Sequence, residues 1–378
     1  MDRATFWVWL CALSVAAAIA DDGVPAHPDP AATDANAGPV ALGPMGEARA
    51  AHQATVLANG DVLVTGGCTG GCDRSLRSAE RFDAGTRRFR PAASMRVERD
   101  SHIAIALVDG RVLVAGGWSQ RQASASVELY QPGTDRFAEA PALAIGRAAP
   151  AAARLADGRV LVVGGQDTAL APLASAEVFD PATERFSDVA GMATARVGHV
   201  AVTLADGRVL VAGGRSARRG EILASAELFD PARGRFQAAG PMAVPRHKFA
   251  AARLPDGRVL VLGGSDVRDQ RGRYRSSELF DPRSGRFSAG PDMAWPRFKF
   301  TDAVTTLASG AVLVAGGAAR IELFDPRSGR FTTLPGELDA AREFATASVL
   351  AGGEVLLVGG YDEAIRTSAA AWLVPGPR

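Results

Sequence analysis

One phrase constrains this chain more than any other: a tight turn, a four-residue apolar run and a double glycine, as in Asp157-Gly158-Arg159-Val160-Leu161-Val162-Val163-Gly164-Gly165. The double glycines fall at Gly66-Gly67, Gly116-Gly117, Gly164-Gly165, Gly213-Gly214, Gly263-Gly264, Gly316-Gly317 and Gly359-Gly360, seven copies spaced by 50, 48, 49, 50, 53 and 43 residues. A fixed period of this length is the mark of a repeat architecture. Each apolar run follows a turn such as Asn59-Gly60 or Asp256-Gly257. Such pairs supply the positive φ angles of a hairpin. Two strands, A and B, therefore meet at every turn.

After a variable loop comes a third phrase, as in Ser225-Ala226-Glu227-Leu228-Phe229-Asp230-Pro231, and a second aromatic follows the first by seven residues. The pairs are Phe82/Phe89, Tyr130/Phe137, Phe179/Phe186, Phe229/Phe236, Phe280/Phe287 and Phe324/Phe331. Strand C ends at Asp-Pro, because proline cannot continue a central ladder. Strand D begins at the Arg-Phe pair. Four short strands per unit, repeated radially, make a propeller blade.

This pattern resembles the kelch repeat, in the apolar run before Gly-Gly and in the two spaced aromatics. It departs from that family in placing Phe where the second aromatic is usually Trp. The Gly-His and Trp-Asp signatures of the WD-type propeller do not recur from unit to unit. The resemblance implies an all-β fold, a seven-bladed kelch-type β-propeller over residues 39–378. The seventh unit runs out after Ser368-Ala369-Ala370-Ala371-Trp372, while Val40-Ala41-Leu42-Gly43-Pro44-Met45 matches the strand D ending of later units. The last blade is therefore expected to be closed by this N-terminal strand, which removes two exposed sheet edges.

Residues 1–20 combine Arg3, an apolar stretch from Phe6 and an Ala18-Ile19-Ala20 end, and read as a secretory signal peptide. The run is too short for a comfortable membrane span of about 20 residues, so no stable span is expected after cleavage. Residues 21–38 have almost no large apolar side chains and read as a disordered lead-in. Cys68 and Cys72 flank Thr69-Gly70-Gly71. In an exported chain they are expected to form a disulfide, consistent with a periplasmic or secreted protein. An alanine- and arginine-rich composition, with lysine only at Lys248 and Lys299, points to a GC-rich bacterial source. The formal charge of +1 leaves no net field to steer nucleic acid. No nucleic-acid partner is expected.

The A–B and C–D turns share one face and are nearly uniform. The B–C loops and the blade-to-blade D–A connections share the other. From the second glycine to the strand C glutamate the loops run 13, 11, 12, 13, 14 and 5 residues in the first six blades. Loops on a rigid scaffold are where function usually sits. Candidate ligand-binding residues on this variable face are Trp118, Arg121, Arg218, Lys248, Arg271, Tyr274, Trp295, Lys299, Arg342 and Tyr361. Rings that stack and guanidinium forks suit a carbohydrate or a protein partner. A solvated loop surface is the plain alternative.

An arginine opens strand A in every blade: Arg49, Arg99, Arg147, Arg196, Arg246, Arg297 and Arg342. Strand C supplies Glu80, Glu128, Glu177, Glu227, Glu278 and Glu322, but Ala370 in the seventh blade. Such repetition predicts an ion pair holding each D–A connection, and leaves Arg342 without this partner and free for a ligand. His52, His102 and His199 lie three residues after the arginine, where Phe249 and Phe300 stand in blades 5 and 6. Packing accounts for that slot better than a metal, and no metal is expected. Lys248 and Lys299 lie two residues after the arginine, in a slot otherwise held by Ala51, Ser101, Ala149 and Gly198. Two lysines pointing together into the channel mouth suit a carboxylate or phosphate; two incidental surface lysines are the alternative.

The resemblance extends to copper oxidases of the galactose-oxidase type and to sialic-acid mutarotases. The first would need two tyrosines, two histidines and a tyrosine–cysteine link, a set that Tyr130, Tyr274, Tyr361, His27 and His247 do not assemble. No Ser-His-Asp arrangement or phosphate loop appears. The sequence therefore predicts an exported binding module without a cofactor and without enzyme activity. A mutarotase-like, carbohydrate-modifying enzyme is the alternative, because that chemistry needs only a positioned acid and base.

Overall fold

The computed structural model describes residues 38–216 and 220–376. The expected signal peptide, nearly all of the lead-in, and Arg218 lie outside the described residues. The rest forms seven four-stranded antiparallel sheets, with two small two-stranded ribbons. Blade 4 shows the plan: strand A is Val200–Thr203, B is Val209–Ala212, C is Ala226–Asp230 and D is Arg235–Ala239. Strand B is buried along its whole length, which is why it reads as an unbroken apolar run. The spaced aromatics are cross-strand partners: Phe229 pairs with Phe236, their centroids 5.0 Å apart.

The core lies between blades rather than within them. Leu210, Ala212 and Leu228 of blade 4 pack with Val259, Val261 and Phe280 of blade 5 in one cluster. The double glycine is where the next blade's backbone arrives. Gly66 and Gly67 have φ of 56° and 96°. A Cβ on Gly66 would sit 2.4 Å from the Arg99 carbonyl oxygen. The Gly67 N–H donates to that same oxygen at 2.9 Å. Only glycine combines the left-handed backbone with so close an approach.

The same bond closes the ring, from the Gly360 N–H to the Arg49 carbonyl at 2.9 Å. Blade 7 is completed by the N-terminal strand Val40–Ala41, which pairs with Ala371–Val374 in the register Val40 to Leu373 and Ala41 to Trp372. No helix among the described residues is long and apolar enough to cross a membrane.

Candidate functional site

Two rings of residues build the variable face. The outer one is the arginine frame. In blade 4, Arg196 Nη2 lies 2.8 Å from Glu227, and its Nη1 donates to the Gly213 carbonyl at 2.8 Å. Glu227 also accepts from the Ala193 and Thr194 N–H groups of the incoming D–A connection. The five equivalent pairs are Arg49–Glu80, Arg99–Glu128, Arg147–Glu177, Arg246–Glu278 and Arg297–Glu322. All six arginine side chains are fully buried. Burial pushes these guanidiniums below the ordinary arginine range, and the glutamates work against that shift.

Arg342 corrects one expectation. It is not left without a carboxylate. Its Nε donates to Asp339 at 3.0 Å, and its guanidinium lies 5.9 Å from the Trp372 ring centre. A local aspartate three residues earlier replaces the missing strand C glutamate.

The inner ring sits two residues after each arginine. Ala51, Ser101, Ala149, Gly198, Lys248, Lys299 and Phe344 all have φ between 48° and 68°. Backbone bonds chain them from blade to blade: Lys248 N–H donates to Gly198, Lys299 to Lys248, Phe344 to Lys299, Ala51 to Phe344, Ser101 to Ala51 and Ala149 to Ser101. A left-handed backbone of this kind favours glycine, so six non-glycine residues there mark a conformation enforced by the ring.

Side chains of the inner ring differ sharply. In blades 1 to 4 they are small. In blades 5 to 7 they build a cluster. The ammonium groups of Lys248 and Lys299 lie 5.2 and 5.0 Å from the centre of the buried Phe298 ring. Lys299 Nζ donates to the Tyr361 hydroxyl at 2.8 Å and lies 3.1 Å from Glu343 Oε2. Burial alone would push Lys299 down; Tyr361 and Glu343 outweigh it and raise the lysine overall. Burial pushes the Tyr361 phenol up. Lys248 is looser: its nearest carboxylate, Asp269, is 3.7 Å away, and burial lowers its pKa. His247 Nε2 is 3.2 Å from Asp269, yet burial and then Lys248 pull the imidazole down to about 4.

The cluster borders a cavity of about 780 Å³ that follows the channel inward. On blades 2 to 4 it is lined by Ile103, Ile105, Val200 and Val202, with His102, Gln166 and His199 among them. Deeper in the cavity, Gln53 donates to Asp302 at 3.2 Å, joining blade 1 to blade 6. Burial raises the Asp302 carboxyl, with the Gln53 bond opposing.

Of the sequence candidates, Lys248, Lys299 and Tyr361 are brought together. Trp118 and Arg121 line a separate cavity of about 980 Å³ above blades 1 and 2, and Trp118 also reaches the channel cavity. Arg271 is exposed in the short turn Asp269–Gly272 of blade 5. Tyr274 sits 5.7 Å from the Arg246 guanidinium, and Trp295 is half-buried in the connection to blade 6. Sequence reasoning missed Glu343, Phe344 and Asp302. The first two occupy the slots one and two after Arg342, so laying the seven units over one another would have shown them.

Cys68 and Cys72 form a disulfide. It packs beside Tyr361 and Phe344, at the edge of the cluster. His52, His102 and His199 each enter a different blade interface. His52 bonds Thr346 at 3.0 Å and His102 bonds Thr65 at 2.9 Å. The His199 ring stands over Gly164.

A family model for the kelch motif matches residues 49–96, 101–143 and 147–193, which are the first three blades. Blades 4 to 6 repeat the same four strands, and blade 7 adds the N-terminal strand to three of its own. The chain is a kelch-repeat propeller. No curated protein matches it in sequence. Among solved structures it is similar to a fungal alcohol oxidase of the AA5 family in complex with copper, at 16% identity and a TM-score of 0.72, over 90% of this chain and 76% of that one. At this identity the likeness concerns the fold.

The donors that a copper ion needs do not converge in this kelch propeller. Three imidazoles are sealed in separate interfaces, and the Tyr130 hydroxyl bonds Asp135 at 2.8 Å on the opposite face. Among the described residues no cluster of three or more His, Cys, Asp or Glu stands ready for a metal ion.

Proposed function

We propose that this kelch propeller is a binding module whose ligand enters the channel mouth on the face of the B–C loops and D–A connections. The observation that carries this reading is the broken ring. Seven equivalent backbone positions surround one opening, and only blades 5 to 7 fill them with Lys248, Lys299 and Phe344. The cavity of about 780 Å³ beneath falls in the size range of small-molecule sites. The Cys68–Cys72 disulfide supports work in an oxidising compartment, outside the cytoplasm.

The test is a plug. Ala149 and Phe344 hold the same ring position, with φ of 48° and 53°. Ala149→Phe therefore fits the backbone while filling the mouth. A thermal-shift screen of sugars, sugar acids, organic acids and short peptides should find a ligand that stabilises the protein by about 2.7 kcal/mol at a hundred times its dissociation constant. The shift should vanish in Ala149→Phe. A shift that survives the plug would move the site elsewhere.

A second reading is enzymatic. Lys299 holds its ammonium 2.8 Å from the Tyr361 hydroxyl, next to a buried carboxylate, an arrangement able to move a proton. Turnover of a sugar screened by NMR, lost in Tyr361→Phe with binding retained, would favour a carbohydrate-modifying enzyme of the mutarotase kind over a binder.

A further inference from the structure

Lys299 is already neutralised by Glu343, so the two lysines do not act as equal cations. The unbalanced positive charge lies in blades 4 and 5. Arg215 follows the double glycine of blade 4 and lines the channel cavity half-buried. It has no carboxylate partner among the described residues. Lys248 lines the same cavity, and its nearest carboxylate, Asp269, is half exposed and 3.7 Å away. Arg215 stands close enough to depress both Lys248 and His247 electrostatically. With His247 neutral, two cations face this side of the mouth against Asp269, while the cavity's other carboxylate, Asp302, accepts from Gln53 further in.

The wall on blades 2 to 4 supplies the other half of the recognition. Ile105 and Val202 are half-buried there, Ile103 and Val200 back them from the inter-blade cores, and the ring residues above are Ser101, Ala149 and Gly198, which leave that wall open. A cation in a partly enclosed site gains most from an anion that shares its desolvation. An aliphatic wall gains from an apolar body that displaces water. The volume suits a small molecule rather than a folded partner.

We infer that the channel mouth binds a small organic carboxylate, its anionic head between Arg215 and Lys248 and its apolar body along the Ile103–Val202 wall. This rests on the channel-mouth reading above and names its ligand class. Arg215 is a ligand-orienting residue in this account, with a planar fork that matches a carboxylate.

Titration calorimetry on the full chain tests it, with octanoate and benzoate as probes and acetate, octanol and octylamine as comparisons. Octanoate and benzoate should bind, acetate at least tenfold more weakly, and octanol and octylamine not measurably. Arg215→Gln and Lys248→Met should each weaken octanoate at least tenfold. Arg258→Gln, on the opposite face beside Asp256, should leave it unchanged. Unfolding curves of the two mouth variants that match the parent exclude a folding defect. Octanoate binding that ignores both mouth substitutions overturns the inference. Binding of octanol or octylamine that Ala149→Phe blocks would overturn the ligand class and leave the channel mouth as the site. If Ala149→Phe blocks none of the probes and none of the screened ligands, the channel-mouth reading falls too.

Discussion

Blades 1 to 4 and blades 5 to 7 meet the channel on the same left-handed backbone, and they use it differently. On the first side the ring carries Ala51, Ser101, Ala149 and Gly198; on the second it carries Lys248, Lys299 and Phe344. The arginine frame behind both sides is the same, with five of its six Nη2–glutamate distances at 2.8 or 2.9 Å and the Arg246–Glu278 pair at 3.0 Å. The packing slot one step further also divides: His52, His102 and His199 on the first side, Phe249 and Phe300 on the second. The lesson is that repetition and departure mark different duties. What every blade repeats holds the blades together. What three of them change is not needed for that.

The largest effect should come from the shared frame. Glu128→Ala in blade 2 and Glu278→Ala in blade 5 each strand a buried arginine and should cost about 3–5 kcal/mol in denaturant unfolding. Losses of equal size on the two sides are expected. A cost below about 1 kcal/mol in either blade would show that the frame is not common to both.

Acid should separate the sides next. Burial holds His52 and His199 at about 3, below the unfolded value of 6.5. The unfolded chain then binds more protons between these values. Stability is complete above about pH 6.5 and falls as pH drops toward 3, by up to about 1.4 kcal/mol per pH unit for each histidine. Hydrogen exchange at pH 4.5 should open the interfaces of blades 1, 2 and 4 before those of blades 5 and 6. His199→Phe should flatten the acid slope, and an unchanged slope would remove these imidazoles as the cause.

The smallest effect carries the sharpest contrast. Lys299→Met leaves Glu343 buried beside no cation and should cost about 2 kcal/mol. Lys248→Met removes a desolvated cation and should change stability by less than about 0.5 kcal/mol, or raise it. The raised pKa of Lys299 means that its contribution is intact below the ordinary lysine value of 10.5 and is lost as pH climbs through the higher folded value. Lys299→Met should abolish that alkaline loss, read by melting curves between pH 9 and 11.5. Equal costs for the two lysines would mean that neither is held at the expense of stability.

Much of this architecture was legible because it is written in main-chain needs that recur. Gly-Gly, Asp-Gly turns and paired aromatics each answer a backbone or cross-strand requirement, so seven copies speak together. The frame was legible for the same reason, arginine against glutamate in fixed slots. Arg342 was misjudged because its substitute, Asp339, lies outside the repeated slot and was invisible to the pattern. The mouth was legible only in part. Lys248 and Lys299 stood out as departures, but their inequality depends on Glu343 and Tyr361, which reach Lys299 from another blade. The Gln53–Asp302 bond, spanning 249 positions across the channel, follows from ring geometry and from no local signal.

The closure of blade 7 is also a statement about time. Val40–Ala41 can find its place only when Ala371–Val374 exists to receive it, more than 300 positions further along the sequence. A chain made from its N-terminus onward can stack blades 1 to 6 early, yet must keep its first strand waiting until the seventh blade is synthesised. Contacts of such separation close slowly, because the chain between them must be ordered first. During that interval the Gly359–Gly360 edge and the outer edge of strand Ala371–Val374 stand unpaired, which makes ring closure the step at which a second chain can intrude.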